Sequence, residues 1–123
     1  MLQGTQLNGF TPTDMVSELQ IIDIKTGTGE TVQPGATVTA HYTGAVAATG
    51  LIFQSSHDFG RAIPFGLNQV IQGWTNGVPG MKVGGIRRLV IPAEQAYGAT
   101  PPPGSGIPAN AALVFDIELV EVG

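Results

Sequence analysis

In this chain of 123 residues, few side chains are equipped for chemistry. There is no cysteine, which excludes disulfides, thiolate zinc sites and Cys nucleophiles. The two histidines, His41 and His57, lack the spacing of a helical metal pair. His41 alternates with apolar neighbours in "TVTAHYTGAV", as a hydrogen-bonded structural histidine does. The nine Asp and Glu are scattered over turns and alternating positions, the pattern of solvated surface groups. No Gly-rich loop leads into Lys and Ser or Thr, and no G-x-S-x-G elbow occurs. What remains is uncharged: Tyr42, Phe53, Phe65, Val70, Ile71, Trp74, Tyr97, Ile107 and Phe115. As a set they fit an ordinary core or an apolar binding pocket. Tyr97, in "AYGAT", fits a core least, since a buried phenol needs a partner for its hydroxyl.

These side chains must be held by short elements, because the chain carries 18 Gly and 9 Pro. "LQIIDIK", from Leu19, has the β-branched content of a strand. In "TVTAHYTGAV", from Thr37, Val38, Ala40 and Tyr42 point one way and Thr39, His41 and Thr43 the other, as in a half-buried strand. "LIFQSS", "GIRRLVIP" and "ALVFDIELVEV" read as further strands, the last with Leu113, Phe115, Ile117 and Leu119 on one face. "HDFGRAIPFGL" is irregular, and "AEQAYGATPPPGSGIPANA" is a loop. In "NQVIQGWTNGVPGM", Val70, Ile71, Trp74, Val78 and Met81 recur at helical spacing, with Asn68 as N-cap. Gly73, Gly77, Pro79 and Gly80 are poor helix formers, so packing must hold this helix. The expected fold is α+β: a curved antiparallel β-sheet wrapped around one short α-helix. Residues 1–18 read as a loose N-terminal arm or linker without a strong period, with a turn at "FTPTD". Residues 19–123 form the domain.

Composition narrows the classes of function. With 42% hydrophobic and 11% charged residues, the chain is globular and long enough to bury a core unaided. A net charge of −4 gives no basic surface for nucleic acid. No apolar run reaches the roughly 18 residues of a membrane span. The N-terminal stretch lacks the basic and apolar regions of a signal peptide. The compartment stays open: a cytoplasmic location is favoured, with a periplasmic or extracytoplasmic one if a signal has been removed.

A family resemblance rests on six motifs in order. They are "VTAHYTG" at 38–44, "IFQSS" at 52–56, "QVIQGW" at 69–74, "MKVGGIRRLVIP" at 81–92, "AYGAT" at 96–100 and "IPANAALVFDIELV" at 107–120. With these the chain resembles the FKBP-type peptidyl-prolyl cis-trans isomerases, the macrolide-binding immunophilin family, over residues 19–122. The resemblance implies a sheet wrapped on a short helix, with an apolar cavity between them floored by Trp74. Val70 and Ile71 would line one wall, Ile71 also offering its backbone. Tyr42, Phe53 and Phe115 would be aromatic walls. Either Ile63 or Phe65 would take the remaining wall. Tyr97 would direct its hydroxyl at a ligand carbonyl, and Ile107 would close the rim. The ligands implied are proline-containing peptides or unfolded chains and macrolides such as rapamycin, bound by a monomer without cofactor or metal.

The chain departs from the family pattern at Gln54, where the family usually has Asp after Phe. Gln54 keeps an acceptor at the pocket edge but loses the charge. The loop after Tyr97, "GATPPPGSG", offers a lean rim around Pro103 and Gly106. Two readings follow: an isomerase of X-Pro bonds, which the intact Tyr97, Trp74, Phe53 and Phe115 favour, or a proline-segment or macrolide binding module of low turnover, which Gln54 favours.

Overall fold

The computed structural model describes residues 2–13 and 15–122. The longest strands organise it. β2 (Thr37–Val46) is flanked along its whole length by β6 (Leu113–Val122). Its other edge is shared: Thr37–Ala40 pair with β4 (Ile63–Gly66), and Thr43–Ala45 with β3 (Ile52–Ser55). Beyond β6 lie β5 (Ile86–Ile91) and then β1 (Gln20–Lys25). Every pairing is antiparallel. The expected α+β architecture is thus a six-stranded sheet with one short helix, α1 (Gln72–Gly77).

Alternation gives the sheet two apolar faces. Val38, Ala40 and Tyr42 of β2, Leu89 and Ile91 of β5, and Leu113, Phe115, Ile117 and Leu119 of β6 pack with Trp74 and Val78. Their neighbours of opposite parity, Ala45, Val90 and Val114, form a second cluster with Ile52 and Leu7.

The sequence posed a puzzle: a helix carrying the chain's one indole, yet rich in glycine. The answer is proximity to β5. A Cβ on Gly73 would lie 2.5 Å from Cγ2 of Ile91, and one on Gly77 would lie 2.7 Å from Cδ2 of Leu89. The two glycines, four residues apart, fall on one helix face. They let the backbone settle onto alternate side chains of one strand. The helix is then secured from outside. Arg87 donates from Nη1 to the carbonyls of Gly77 (2.8 Å) and Pro79 (3.2 Å), where the helix end has carbonyls to satisfy. Its Nε meets Oδ1 of Asp23 at 2.6 Å. The Thr75 hydroxyl donates to the Leu67 carbonyl at 2.5 Å.

Four expectations are corrected. Asn68 does not cap the helix: a turn intervenes, with the Gln69 N–H on the Gly66 carbonyl, and Ile71 occupies the N-cap without a side-chain bond. Val70 and Ile71 precede the helix; Ile71 is extended at φ −58°, ψ 151°. "HDFGRAIPFGL" is not irregular, because β4 forms there on the edge of β2, after a 3-10 turn at Ser56–Phe59. The N-terminal arm is not loose: Leu7 is buried, and Phe10 and Val16 pack beside it on the second apolar cluster.

Gly73→Ala tests the close packing. Helix propensity alone would stabilise by about 1 kcal/mol, but overpacking against Ile91 costs about 1–3 kcal/mol. The substitution should therefore lower the urea midpoint of unfolding, read by Trp74 fluorescence. A raised midpoint would contradict the packing argument.

Candidate functional site

The site begins at Trp74. Its ring is 4% exposed, and three aromatic rings surround it. Phe65 of β4 stands 4.8 Å away at 60°, Phe115 of β6 at 5.4 Å and 86°, and Tyr42 of β2 at 5.9 Å and 74°. Steep angles at such separations are the favoured geometry of aromatic quadrupoles. The box is deepened by Phe53 of β3, edge-on to Phe115 at 5.8 Å and 89°. Gly44 of β2 makes room for that pair, since a Cβ there would lie 2.6 Å from both rings.

The rings enclose one side of a cavity of about 480 Å³. Its lining is Tyr42, Phe53, Gln54, Phe65, Gln69, Val70, Ile71, Trp74, Tyr97 and Phe115. None of these side chains carries a carboxylate, an ammonium, a guanidinium or an imidazole. The indole Nε1 is buried and has no hydrogen-bond partner among the described residues. The floor is therefore apolar down to its single donor.

Most residues named from the sequence converge here, but two do not. Ile63 and Phe65 share a face of β4, being two residues apart. Phe65 reaches Trp74, whereas Ile63 packs on the core beside the pocket. Ile107 lines an adjoining recess with Phe53, Gln54, Tyr97, Pro102 and Pro103. Gln69 joins the wall unexpectedly. It lies inside "QVIQGW", but a search for apolar periodicity passes over an amide. Val70 and Ile71 line the pocket from the segment before α1.

Two phenols and two amides are the polar side chains of the lining besides the indole. The Tyr42 hydroxyl donates to Oε1 of Gln54 at 2.8 Å, so the amide serves as an acceptor at the pocket edge. Tyr97 is 36% exposed and lines both the cavity and the adjoining recess. The next residue, Gly98, is fixed by two backbone bonds: its N–H to the Ala93 carbonyl at 3.0 Å, and the Asn110 N–H to its carbonyl at 2.7 Å. Burial raises the pKa of Tyr97 above 10.0. That of Tyr42 is raised too, first by burial and then by the neighbouring Tyr97. Both phenols are thus held as neutral donors. The histidines stand away from the cavity. They stack on each other at 4.3 Å, and His41 Nδ1 lies 2.9 Å from the Ser56 hydroxyl. The structural reading of His41 accords with this. No group of three or more His, Cys, Asp or Glu among the described residues could hold a metal ion.

Comparison with known proteins agrees with this arrangement. The family model of the FKBP-type peptidyl-prolyl cis-trans isomerases matches residues 28–120. A probable FK506-binding protein of Corynebacterium glutamicum is 48% identical over 113 residues, covering 91% of this chain and 90% of the relative. The peptidyl-prolyl cis-trans isomerase FPR2 of Saccharomyces cerevisiae is 50% identical over 91 residues, covering 72% of this chain and 67% of the relative. The crystal structure of a peptidyl-prolyl cis-trans isomerase from Pseudomonas syringae pv. tomato superposes with a TM-score of 0.76 at 33% identity, covering 90% of this chain and 80% of that one. The chain belongs to the FKBP-type peptidyl-prolyl cis-trans isomerase family.

Because Tyr42 and Tyr97 are the chain's two tyrosines, tyrosinate absorbance reports this pocket alone. In the folded protein its midpoint should lie above that of the urea-unfolded chain, which ionises at about 10. A folded-state midpoint at or below that of the unfolded chain would contradict the burial of the phenols.

Proposed function

We propose that this protein accelerates rotation about X-Pro peptide bonds in flexible or folding chains by holding the twisted amide in the cavity over Trp74. One observation carries the reading: a sizeable cavity walled by aromatic rings and free of charged side chains.

The chemistry follows from the amide. Its barrier of about 18–20 kcal/mol is the resonance that keeps the peptide planar, and a proline tertiary amide prefers trans by only about 0.5–1 kcal/mol. Twisting breaks resonance and leaves a less polar carbonyl. In water the planar dipole is better solvated than the twisted one. In a dry aromatic pocket that advantage is removed, so the twisted form is bound relatively better, and differential binding of this kind is catalysis. Proline packs its ring over the indole, and the walls of Tyr42, Phe53, Phe65 and Phe115 set shape and exclude water. Tyr97 donates to a carbonyl of the bound chain. Ile71, extended before the helix, offers its backbone N–H at the cavity wall. No proton changes hands, so no acid, base, metal or cofactor enters the reaction.

Relatives are named for binding FK506, and macrolides of that type, whose pipecolyl ring mimics proline, should occupy the same pocket. The second reading, a binding module of low turnover, draws on Gln54. Its amide accepts from Tyr42 where the family usually has a carboxylate, and a neutral acceptor is weaker than a charged one. The amide also brings two donors to the mouth.

Turnover on a short X-Pro peptide decides between the two. The wild type should isomerise it, unaffected by chelators. Phe53→Ala should lower kcat/KM by more than tenfold, about 1.4 kcal/mol or more of barrier, because it opens the dry wall. Gln54→Asp should raise it a few-fold, about 1 kcal/mol or less. A folded wild type that binds a macrolide but leaves the peptide unchanged would establish the binding module instead. Lower turnover in Gln54→Asp would make the glutamine a working part of the site.

A further inference from the structure

In the sheet order, β3 is a terminal strand. It is only four residues long, and its register with β2 shifts between Gly44 and Ala45. Such an edge is the least constrained part of a sheet. Yet β3 supplies two pocket residues, Phe53 and Gln54. A wall of a shape-selective site therefore stands on a short edge strand.

The N-terminal segment meets that weakness. Gly4 N–H donates to the Ile52 carbonyl at 2.8 Å, and Ile52 N–H donates to the Thr5 carbonyl at 2.8 Å. Gln6 bridges Leu51 in antiparallel fashion, and Leu7 N–H bonds to the Gly50 carbonyl at 2.8 Å. The segment thus extends the sheet beyond β3. Three anchors hold it. Leu7 is 6% exposed and packs with Ile52, Ala45, Val90 and Val114. Arg88, paired with Asp116 at 2.6 Å, donates to the carbonyls of Gly9 (2.8 Å) and Asn8 (3.0 Å). The carboxylate of Asp58, in the turn that follows β3, accepts from the N–H of Leu2 at 2.6 Å and of Gln3 at 3.0 Å. These backbone bonds hold its pKa below the usual carboxylate value.

The geometry assigns residues 2–9 a role in the site: this strap clamps β3 and so sets the Phe53 wall and the Gln54–Tyr42 hydrogen bond, with Leu7 and Asp58 as positioning residues. The coupling is direct. Ile52 is fixed beneath Leu7 on one face of β3, and Phe53, the next residue, points to the other face. A shift of the strand moves the ring against Phe115. The acceptor offered to Tyr42 lies one residue further. In a site that works by shape, a displacement of about 1 Å is enough to lower turnover substantially.

The turnover arm of the test rests on the isomerase reading; the NMR arms do not. Asp58→Ala, Asp58→Glu and Leu7→Ala are compared with the wild type, all in the full chain. In Asp58→Ala the Ile52 and Gly4 amides should exchange at least about tenfold faster, while Leu89 and Ile117 amides in central strands keep their rates. The Phe53 ring resonances should shift or broaden. Turnover of a short X-Pro peptide should fall about three- to tenfold, mainly in kcat. Leu7→Ala should move all three readouts in the same direction, and Asp58→Glu should restore them. The assignment is overturned if Ile52 exchange accelerates while the Phe53 resonances stay unchanged. It is equally overturned if they move while kcat and KM stay within about twofold of an active wild type, or if neither Asp58→Ala nor Leu7→Ala changes Ile52 exchange. A wild type without turnover would sink the isomerase reading, and the Phe53 resonances would still decide the role of the strap.

Discussion

The packing of α1 directly onto β5 governs the rest of the molecule. Only because Gly73 and Gly77 present no side chain can a six-residue helix lie close enough to Ile91 and Leu89 for Trp74 to reach the centre of the aromatic cluster. An isolated helix of this length would not persist in water. Its stability is borrowed from the sheet, through apolar contact on one side and through Arg87 and Thr75 at its edges. The same glycines that make it a poor helix make it a good lid on a strand. Intrinsic propensity is traded for proximity, and proximity is what turns a lone indole into a floor.

Once the indole is placed, the electrostatics of the site follow. No charged side chain lines the cavity, and two arginines are paired outside it: Arg87 with Asp23, and Arg88 with Asp116. The cavity keeps two phenols and two amides as its side-chain polar groups besides the buried indole N–H. Burial raises the pKa of both phenols, which strengthens their hold on the proton. A dry pocket of neutral groups suits a reaction whose obstacle is amide resonance, where stabilisation must come from shape and desolvation. It would serve badly for hydrolysis or group transfer, which need a nucleophile or a proton carrier.

The two faces of the sheet divide the labour. One packs against α1 and opens into the pocket; the other is covered by the N-terminal segment through Leu7, Phe10 and Val16. β3 lies where the two meet, with Ile52 on the covered face and Phe53 on the open one. The segment that reads as an arm therefore belongs to the support of the site, and its hydrogen bonds to Ile52 and Asp58 are the means.

What the sequence determined by itself was whatever depends on local period and composition. Alternation in "TVTAHYTGAV" and "ALVFDIELVEV" gave two long strands and their buried faces, because a strand's side chains repeat every two residues wherever it pairs. The scattering of carboxylates and the lone tryptophan marked an uncharged site, and the ordered motifs marked the family. Tertiary structure decided what period cannot carry. "HDFGRAIPFGL" has no alternation to announce β4, which exists because Thr37–Ala40 of β2 offer it an edge. Val70 and Ile71 sit at helical spacing from Trp74 yet are not helical: they precede α1 and line the cavity that the sheet forms with it. Phe65 rather than Ile63 reaches the indole, although both lie on one face of one strand. Leu7 looks like an isolated apolar residue in a polar arm, and its burial depends on Ile52, Val90 and Val114, brought together from distant parts of the chain. In each case the deciding contact is non-local, and a residue's own neighbours in sequence hold no record of it.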